Sequence, residues 1–331
     1  MVKNVRAFQG QLGKILLAGM IVLPMLASPA SAQTDDYPSQ PIKLIVPFSA
    51  GGGNDAIARA LGNLLSESLG QSVVVENQPG AGGKIGVDNG LRAKPDGYTL
   101  TLISNSYAVN PSLYKLDYDP VKDITPIGMI AKAPFFVSVH PSVKADSLAD
   151  LLELARRQPG QLSYASSGAG GISHLATELL LQATDTKMVH VPYRGSAPAM
   201  TDTIAGHTQM MLTTAGSTLP YQKEGKLKVL AVTLPERVST AKDIPTVKEQ
   251  GVPYEVTVWY GIIGPKGIPE SIQLKLNKAI NKAVQQGELA KRLKTTGEEA
   301  APGTPQDFQQ QITTEIDLWK GVVKKGGITI S

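Results

Sequence analysis

Short apolar segments and segments with helical spacing alternate along almost the whole chain, and this rhythm limits the fold to α/β architectures. Strand-like Ile42–Phe48 precedes a helical pattern over Asn54–Leu69. Ser72–Glu76 precedes Gly83–Arg92, and Tyr98–Ser104 follows a Pro95-Asp96-Gly97 turn. The pattern continues with helical Ser147–Arg157, where Ser147 is the expected N-cap. Strand-like Leu162–Ala165, Met188–Pro192 and Thr208–Leu212 then lead into helical Ile172–Ala183, Ala197–Ala205 and Thr218–Lys223, followed by Leu227–Leu234. Most strands are apolar without alternation, as strands covered on both faces are. The expectation is therefore mostly parallel sheets flanked by helices. Two long segments, Pro126–Val139 and Tyr254–Pro265, exceed one short strand, and each is expected to run from one sheet into another. That predicts a discontinuous first domain, 33–130 and 255–331, completed by helical Ser271–Gln286 and Pro305–Lys325. A second domain, 131–254, is inserted into it.

The turn Val46–Arg59 bears most directly on function. A glycine-rich stretch, Gly51-Gly52-Gly53, joins a buried strand to a helix start, so backbone N–H groups are presented at the positive end of a helix dipole, a geometry that suits an anion. Gly51-x-Gly53-x-x-Ala56 also fits the dinucleotide-binding pattern, with Glu76 at the end of the next strand. Against that reading, Asp55 places a carboxylate beside the pyrophosphate position. Asp55 itself either offsets the helix dipole and pairs with Arg59 at i,i+4 spacing, or receives an ammonium or hydroxyl group of a ligand. Asn54 is the expected N-cap, and Arg194, in a Tyr-Arg-Gly loop, is the better candidate for attracting an anion.

The loops expected at the carboxyl ends of the strands are 48–55, 77–84, 104–110, 166–173, 193–197 and 213–217, all rich in small and hydroxyl residues. Ligands of open parallel sheets bind at such ends, so six of these loops predict a shared cleft. Phe48 and Tyr107 are its expected apolar walls.

The N-terminus bounds the compartment. Lys3, Arg6 and Lys14 precede a 12-residue apolar run, Ile15–Leu26, and Ala30-Ser31-Ala32 matches a small-x-small cleavage pattern. This is a secretory signal peptide over 1–32, cleaved after Ala32 into an export compartment where nicotinamide cofactor is scarce. A membrane-spanning helix needs about 20 residues. The first 32 residues carry three basic and no acidic side chains, leaving 29 basic against 28 acidic, a nearly neutral chain without the electrostatic footprint of a nucleic-acid binder. There is no cysteine. Ser112-x-x-Lys115 lacks the companion motifs of a penicillin-binding protein, and no G-x-S-x-G occurs. His140, His174, His190 and His207 lack zinc-ligand spacing, and His174 reads as a structural hydrogen-bonding residue before a ligand contact. Neither catalysis, a cofactor nor a metal is expected.

Taken together, these motifs resemble the tripartite tricarboxylate transporter substrate-binding proteins, the Bug (Bordetella uptake gene) receptors. Pro47-Phe48-x-x-Gly51-Gly52-x-x-Asp55-x-x-Ala58-Arg59, Val75-x-Asn77-x-Pro79-Gly80-Ala81-Gly82-Gly83-x-Ile85-Gly86, Pro95–Leu100, Ser166–His174, Val191–Pro198 and Pro245–Gly251 are similar to that family's motifs, in order and over the whole mature chain. The resemblance implies a type II periplasmic-binding-protein-like receptor, monomeric, that closes on a small mono- or dicarboxylate and passes it to membrane permease subunits. By position it implies ligand contacts from Phe48, Ala50, Gly53 and Asp55 in one domain, and from Ser167, Gly168, Ser173, Tyr193 and Ala197 in the other. Where many members have an acidic residue, this chain has Thr213-Thr214. The competing readings are an exported NAD-binding oxidoreductase and a ligand-sensing subunit for a membrane kinase.

Overall fold

A computed structural model describes residues 36–329, and the expected signal peptide with its cleavage point lies outside them. In chain order the first half contains β1 (Ile42–Val46), α1 (Gly53–Leu69), β2 (Val73–Asn77), a 3-10 turn (Ala81–Gly83), α2 (Lys84–Leu91), β3 (Thr99–Ser104), α3 (Asn105–Leu113), β4 (Ile124–Val139) and α4 (Leu148–Arg157). Then come β5 (Ser163–Ser166), α5 (Ile172–Ala183), β6 (Val189–Pro192), α6 (Ser196–Ile204), β7 (Met210–Thr214), α7 (Ala215–Lys223) and β8 (Lys228–Val232). The chain ends with β9 (Thr257–Pro265), α8 (Glu270–Gln285), α9 (Gly287–Thr296), β10 (Glu299–Ala300) and α10 (Pro305–Gly326). Among the described residues, no helix is long and apolar enough to cross a membrane.

The strands lie in the order β2-β1-β3-β9-β4-β7-β5-β6, with β8 and β10 paired to β4. Two parallel groups, β2-β1-β3 and β7-β5-β6, occupy the flanks. Between them β9 runs antiparallel to β3 and β4, and β4 antiparallel to β7 and β8. β4 behaves as its length predicts: Ile124–Pro134 pairs with β9, whereas Phe135–Val139 pairs with β7 and β8. β9 does not cross in the same way. It pairs only with β3 and β4, and the link to the other group is made just before it, where Val256 N donates to Thr233 O at 3.3 Å and Thr233 Oγ1 donates to Val256 O at 2.6 Å.

Local sequence accounts for the well-formed helices. In α4, Leu148, Leu151, Leu152 and Ala155 recur at helical spacing and are all buried. Ser147 is its N-cap in a capping box with Asp150, as its sequence position predicts. Thr304 and Asp307 do the same for α10. Three elements depart from expectation. Residues 105–110, expected within the loop 104–110, form most of α3 directly after β3, and α9 and β10 follow α8 where no element was expected. Asn105, Ser106 and Asn110 of α3 read as loop residues, yet they are buried by packing against α10 and β9, and tertiary contact overrides their weak propensity.

Candidate functional site

The six carboxyl ends of the parallel strands face one another, three from each group, and the chain crosses between them at close range. Ser49 donates from both N (3.1 Å) and Oγ (2.5 Å) to the Arg194 carbonyl. Ile172 N donates to Ser106 Oγ at 2.9 Å, and Tyr114 Oη donates to Ala169 O at 2.9 Å. Gly82, at φ +60°, is needed at this approach: a Cβ there would stand 2.7 Å from the Ala169 carbonyl oxygen.

The glycine turn after β1 is held by Asp55. Its Oδ2 accepts from Gly51 N (2.9 Å) and Arg59 Nε (3.0 Å), and its Oδ1 accepts from Asn77 Nδ2 (3.0 Å) and pairs with the Arg59 guanidinium (3.0 Å). Asn77 Nδ2 also reaches Phe48 O at 3.0 Å, so one carboxylate ties β1, its turn and the end of β2 together. Burial opposes ionisation of Asp55, but the Arg59, Gly51 and Asn77 donors outweigh it and hold its carboxyl below the ordinary value. Three hydrogen bonds and the Arg59 ion pair thus engage both carboxylate oxygens. The expected i,i+4 pair with Arg59 is present. The N-cap of α1 is Gly52, not Asn54. Asn54 sits inside the first turn, and its Oδ1 is buried without a partner.

The opposing loop after β5 is shaped by hydroxyls. Ser173 Oγ accepts from Ser167 N at 2.9 Å and lies 2.9 Å from Ser167 Oγ. Behind it stands a stack of rings. His174 and His190 are parallel with centroids 3.9 Å apart, and Tyr164 covers His190 at 4.9 Å. His190 Nε2 lies 2.6 Å from Ser166 Oγ, and Gly170 N donates to His174 Nδ1 at 3.2 Å. Burial pulls His174 down to about 4 and His190 to about 3, the second helped by the first, so both are neutral near pH 7. His174 thus has the structural role expected of it.

Two adjoining cavities lie between the loops, with Ser167 on the wall of both. The outer one, of about 240 Å³, is lined by Phe48, Gly80–Gly83, Ser167–Ala169 and Pro192–Arg194. The inner one, of about 30 Å³, is about the size of one water molecule. Its walls hold the first residues of three helices, or the residue after them: Gly53 and Asn54 of α1, Ile172 and Ser173 of α5, and Ser196 of α6. To these it adds Thr214, the N-cap of α7. None of these four helices has a side-chain cap, and apart from Ile172 N, which donates to Ser106 Oγ, the N–H groups their first turns leave without intrahelical partners lie at or beside one small chamber. The two capping boxes occur on helices away from it. Tyr260, 1% exposed, and Thr214 close the chamber around Gly53, where a Cβ would come to 3.3 Å from Tyr260 Oη and 3.0 Å from Thr214 Oγ1.

Of the residues expected at the site, Phe48, Ser167, Gly168 and Tyr193 line the outer cavity and Gly53, Ser167 and Ser173 the inner one. Three fall elsewhere. Asp55 is buried beneath the turn, Ala50 is exposed on it, and Ala197 packs 3.5 Å from the Cβ position of Gly51 without lining either cavity. Tyr107 is not a wall either; it is 2% exposed and its hydroxyl donates to Pro120 O. The Arg194 side chain is exposed at the rim of the outer cavity, as an anion-attracting group would be. Sequence reasoning missed Tyr260, Phe135, Leu212 and Val258 on the inner wall, and named Asn54 and Ser196 only within the cleft loops 48–55 and 193–197. Tyr260 and Phe135 lie in apolar strands and read as core. Ser196 is the first residue of α6 in a Gly-Ser turn, a signal that was legible. Glu76, the acidic residue of the dinucleotide pattern, is paired with Lys43 at 2.8 Å. Among the described residues, no group of three His, Asp or Glu side chains is arranged to hold a metal ion.

Comparison with known proteins gives a consistent result. The family model described as "Tripartite tricarboxylate transporter family receptor" matches residues 57–328. Protein BugT of Bordetella pertussis is 36% identical over 306 residues, covering 91% of this chain and 93% of BugT. The solved structure of Rpa4515 from R. palustris with adipate superposes with a TM-score of 0.86 at 35% identity, over 89% of this chain and 99% of that one. MatC (Rpa3494) from Rhodopseudomonas palustris, with bound malate, superposes at 0.83 and 30% identity, over 87% of this chain and 100% of that one. The α/β fold expected from the sequence is thus the periplasmic-binding-protein-like fold of these structures. From the strand-end loops through the uncapped helix starts to the full-length likeness, the observations agree, and the chain belongs to the family of tripartite tricarboxylate transporter receptors.

Proposed function

We propose that this chain is a periplasmic receptor that captures a small mono- or dicarboxylate between two domains, 33–130 with 255–331 and 131–254, and delivers it to the membrane subunits of a tripartite transporter without transforming it. The observation that carries this reading is the convergence of four uncapped helix starts, α1, α5, α6 and α7, on one hydroxyl-lined chamber. Partial positive charge at four helix ends suits a carboxylate. The adipate and malate held by the related structures are ligands of that class. A hydrogen bond to a charged group contributes about 1.5–3 kcal/mol. Six to eight of them give a gross gain of about 9–24 kcal/mol; set against an immobilisation cost of about 4–15 kcal/mol, micromolar binding, about −8 kcal/mol, lies within the difference. Ligand seated between the domains favours their closed arrangement over the open one.

Thermal unfolding of the purified protein over a panel of organic acids tests the proposal. A cognate acid at a hundred times its dissociation constant adds about 2.7 kcal/mol of stability and raises the melting temperature by several degrees. The reading fails if no acid in the panel does so while NAD does.

A further inference from the structure

We infer that the cleft selects carboxylates that carry no ammonium group, taking plain and hydroxylated acids and rejecting amino acids, with Thr214 as a determining residue. This rests on the carboxylate reading above. Among the residues lining the two cavities, only Tyr193, Arg194 and Tyr260 are ionisable, and none bears a carboxylate. The acids nearby are out of use. Asp55 is 4% exposed, and both of its oxygens are engaged by Gly51, Arg59 and Asn77. Glu298 is 6% exposed, lies off the cavity wall and accepts from the Thr296 hydroxyl at 2.8 Å.

An ammonium taken from water needs a charged acceptor, and without one its desolvation is not repaid. Here it would meet helix N-termini whose partial charge has the same sign as its own, with the Arg194 guanidinium at the rim. A ligand hydroxyl faces no such barrier. Serine and threonine hydroxyls both donate and accept, and Asn54 Oδ1, buried without a partner, can take one hydrogen. A single neutral acceptor does not replace a carboxylate for a full positive charge.

Thr214 occupies the position from which a carboxylate would reverse this selection. It is the N-cap of α7 and lines the chamber, and aspartate is well accepted at an N-cap. Calorimetric titration with matched pairs, succinate against aspartate, glutarate against glutamate and adipate against 2-aminoadipate, decides the matter. The plain acid of the pair that fits is expected to bind about a hundredfold more tightly than its amino counterpart, or better still. Thr214→Asp should narrow or invert that ratio, whereas Thr214→Asn should keep it, and the melting temperature of each unliganded variant shows whether it has folded. If both members of a pair bind the wild-type protein within about threefold of each other, the inference is overturned while the receptor reading stands. If neither member of any pair binds and the wider acid panel is also silent, the receptor reading falls and this inference with it.

Discussion

Asp55 shows how much one residue's role depends on where its lone pairs go. Its position in a glycine turn at a helix start is equally compatible with a ligand contact and a structural one. In the fold the carboxylate accepts from Gly51, Asn77 and Arg59, which makes it the tie that shapes the turn. Asp55→Ala leaves those donors unpaired. Since Arg59 is half-exposed and can return to water, the expected loss is about 2–3 kcal/mol of stability, readable by urea denaturation. Ligand affinity should fall by the same factor for every acid that binds, because the whole turn relaxes. A loss confined to ligands bearing amino or hydroxyl groups would instead place the carboxylate at the ligand. Thr214 is the converse case. In the sequence it stands out only where many members of the family have an acidic residue, yet it occupies the N-cap position of α7 and closes the chamber.

At the scale of elements, only two of the described helices cap themselves, and four of the uncapped ones start at the chamber, while α2, α3, α8 and α9 are uncapped elsewhere. α4 and α10 satisfy their first N–H groups with their own side chains, and the four helices at the chamber do not. The Ser166–Ser173 loop between β5 and α5 is braced from behind by the Tyr164–His190–His174 stack, whose hydrogen-bonding partners are Ser166, Gly170 and Glu178. Both imidazoles are depressed in the fold, to about 4 and about 3, and return to their ordinary value near 6.5 on unfolding. Between those limits the unfolded chain binds more protons than the folded one. The contribution of the pair is therefore fully present above about pH 6.5 and is lost as pH falls toward 4 and then 3. Urea midpoints should fall by more between pH 7 and pH 4.5 in the wild type than in a His174→Gln, His190→Gln double variant. Burial raises the Glu298 carboxyl and so works in the opposite direction, which is why the comparison with the variant isolates the stack. Parallel profiles for the two proteins would show that the rings do not couple folding to pH.

At the scale of the whole molecule, the two groups of strand-end loops are joined by few direct contacts: Ser49 to Arg194, Ser106 to Ile172 and Tyr114 to Ala169. On the proposed domain division, all three hold the closed arrangement, in which the inner chamber has room for about one water molecule. A net hydrogen bond of about 1 kcal/mol shifts an equilibrium roughly fivefold. Tyr114→Phe should therefore favour the open arrangement by about that factor, visible as a larger radius of gyration in X-ray scattering of the unliganded protein and a several-fold weaker affinity. Unchanged scattering and affinity would mean that this contact does not hold the arrangement closed.

Much of this molecule is written locally. The α/β rhythm, the Ser147 cap, the long β4, the glycine turn and the motifs that carry the family resemblance follow from residue spacing, because strands, helices and caps are set by neighbours within a few positions. The antiparallel placement of β9, the helix over 105–113 and the makeup of the chamber do not, because they depend on residues far apart in the chain. Gly53, Phe135, Thr214 and Tyr260 meet only once β4 has left one sheet for the other and β9 has settled between β3 and β4. In the sequence, an apolar or hydroxyl residue facing a chamber looks the same as one facing the core, since periodicity records burial and not what is buried against it. The sequence alone settled that glycine-rich turns and helix starts would meet at the strand ends. Tertiary structure decided which side chains stand there, and that the acidic residue of the most prominent motif, Asp55, ties the glycine turn to Arg59 and Asn77.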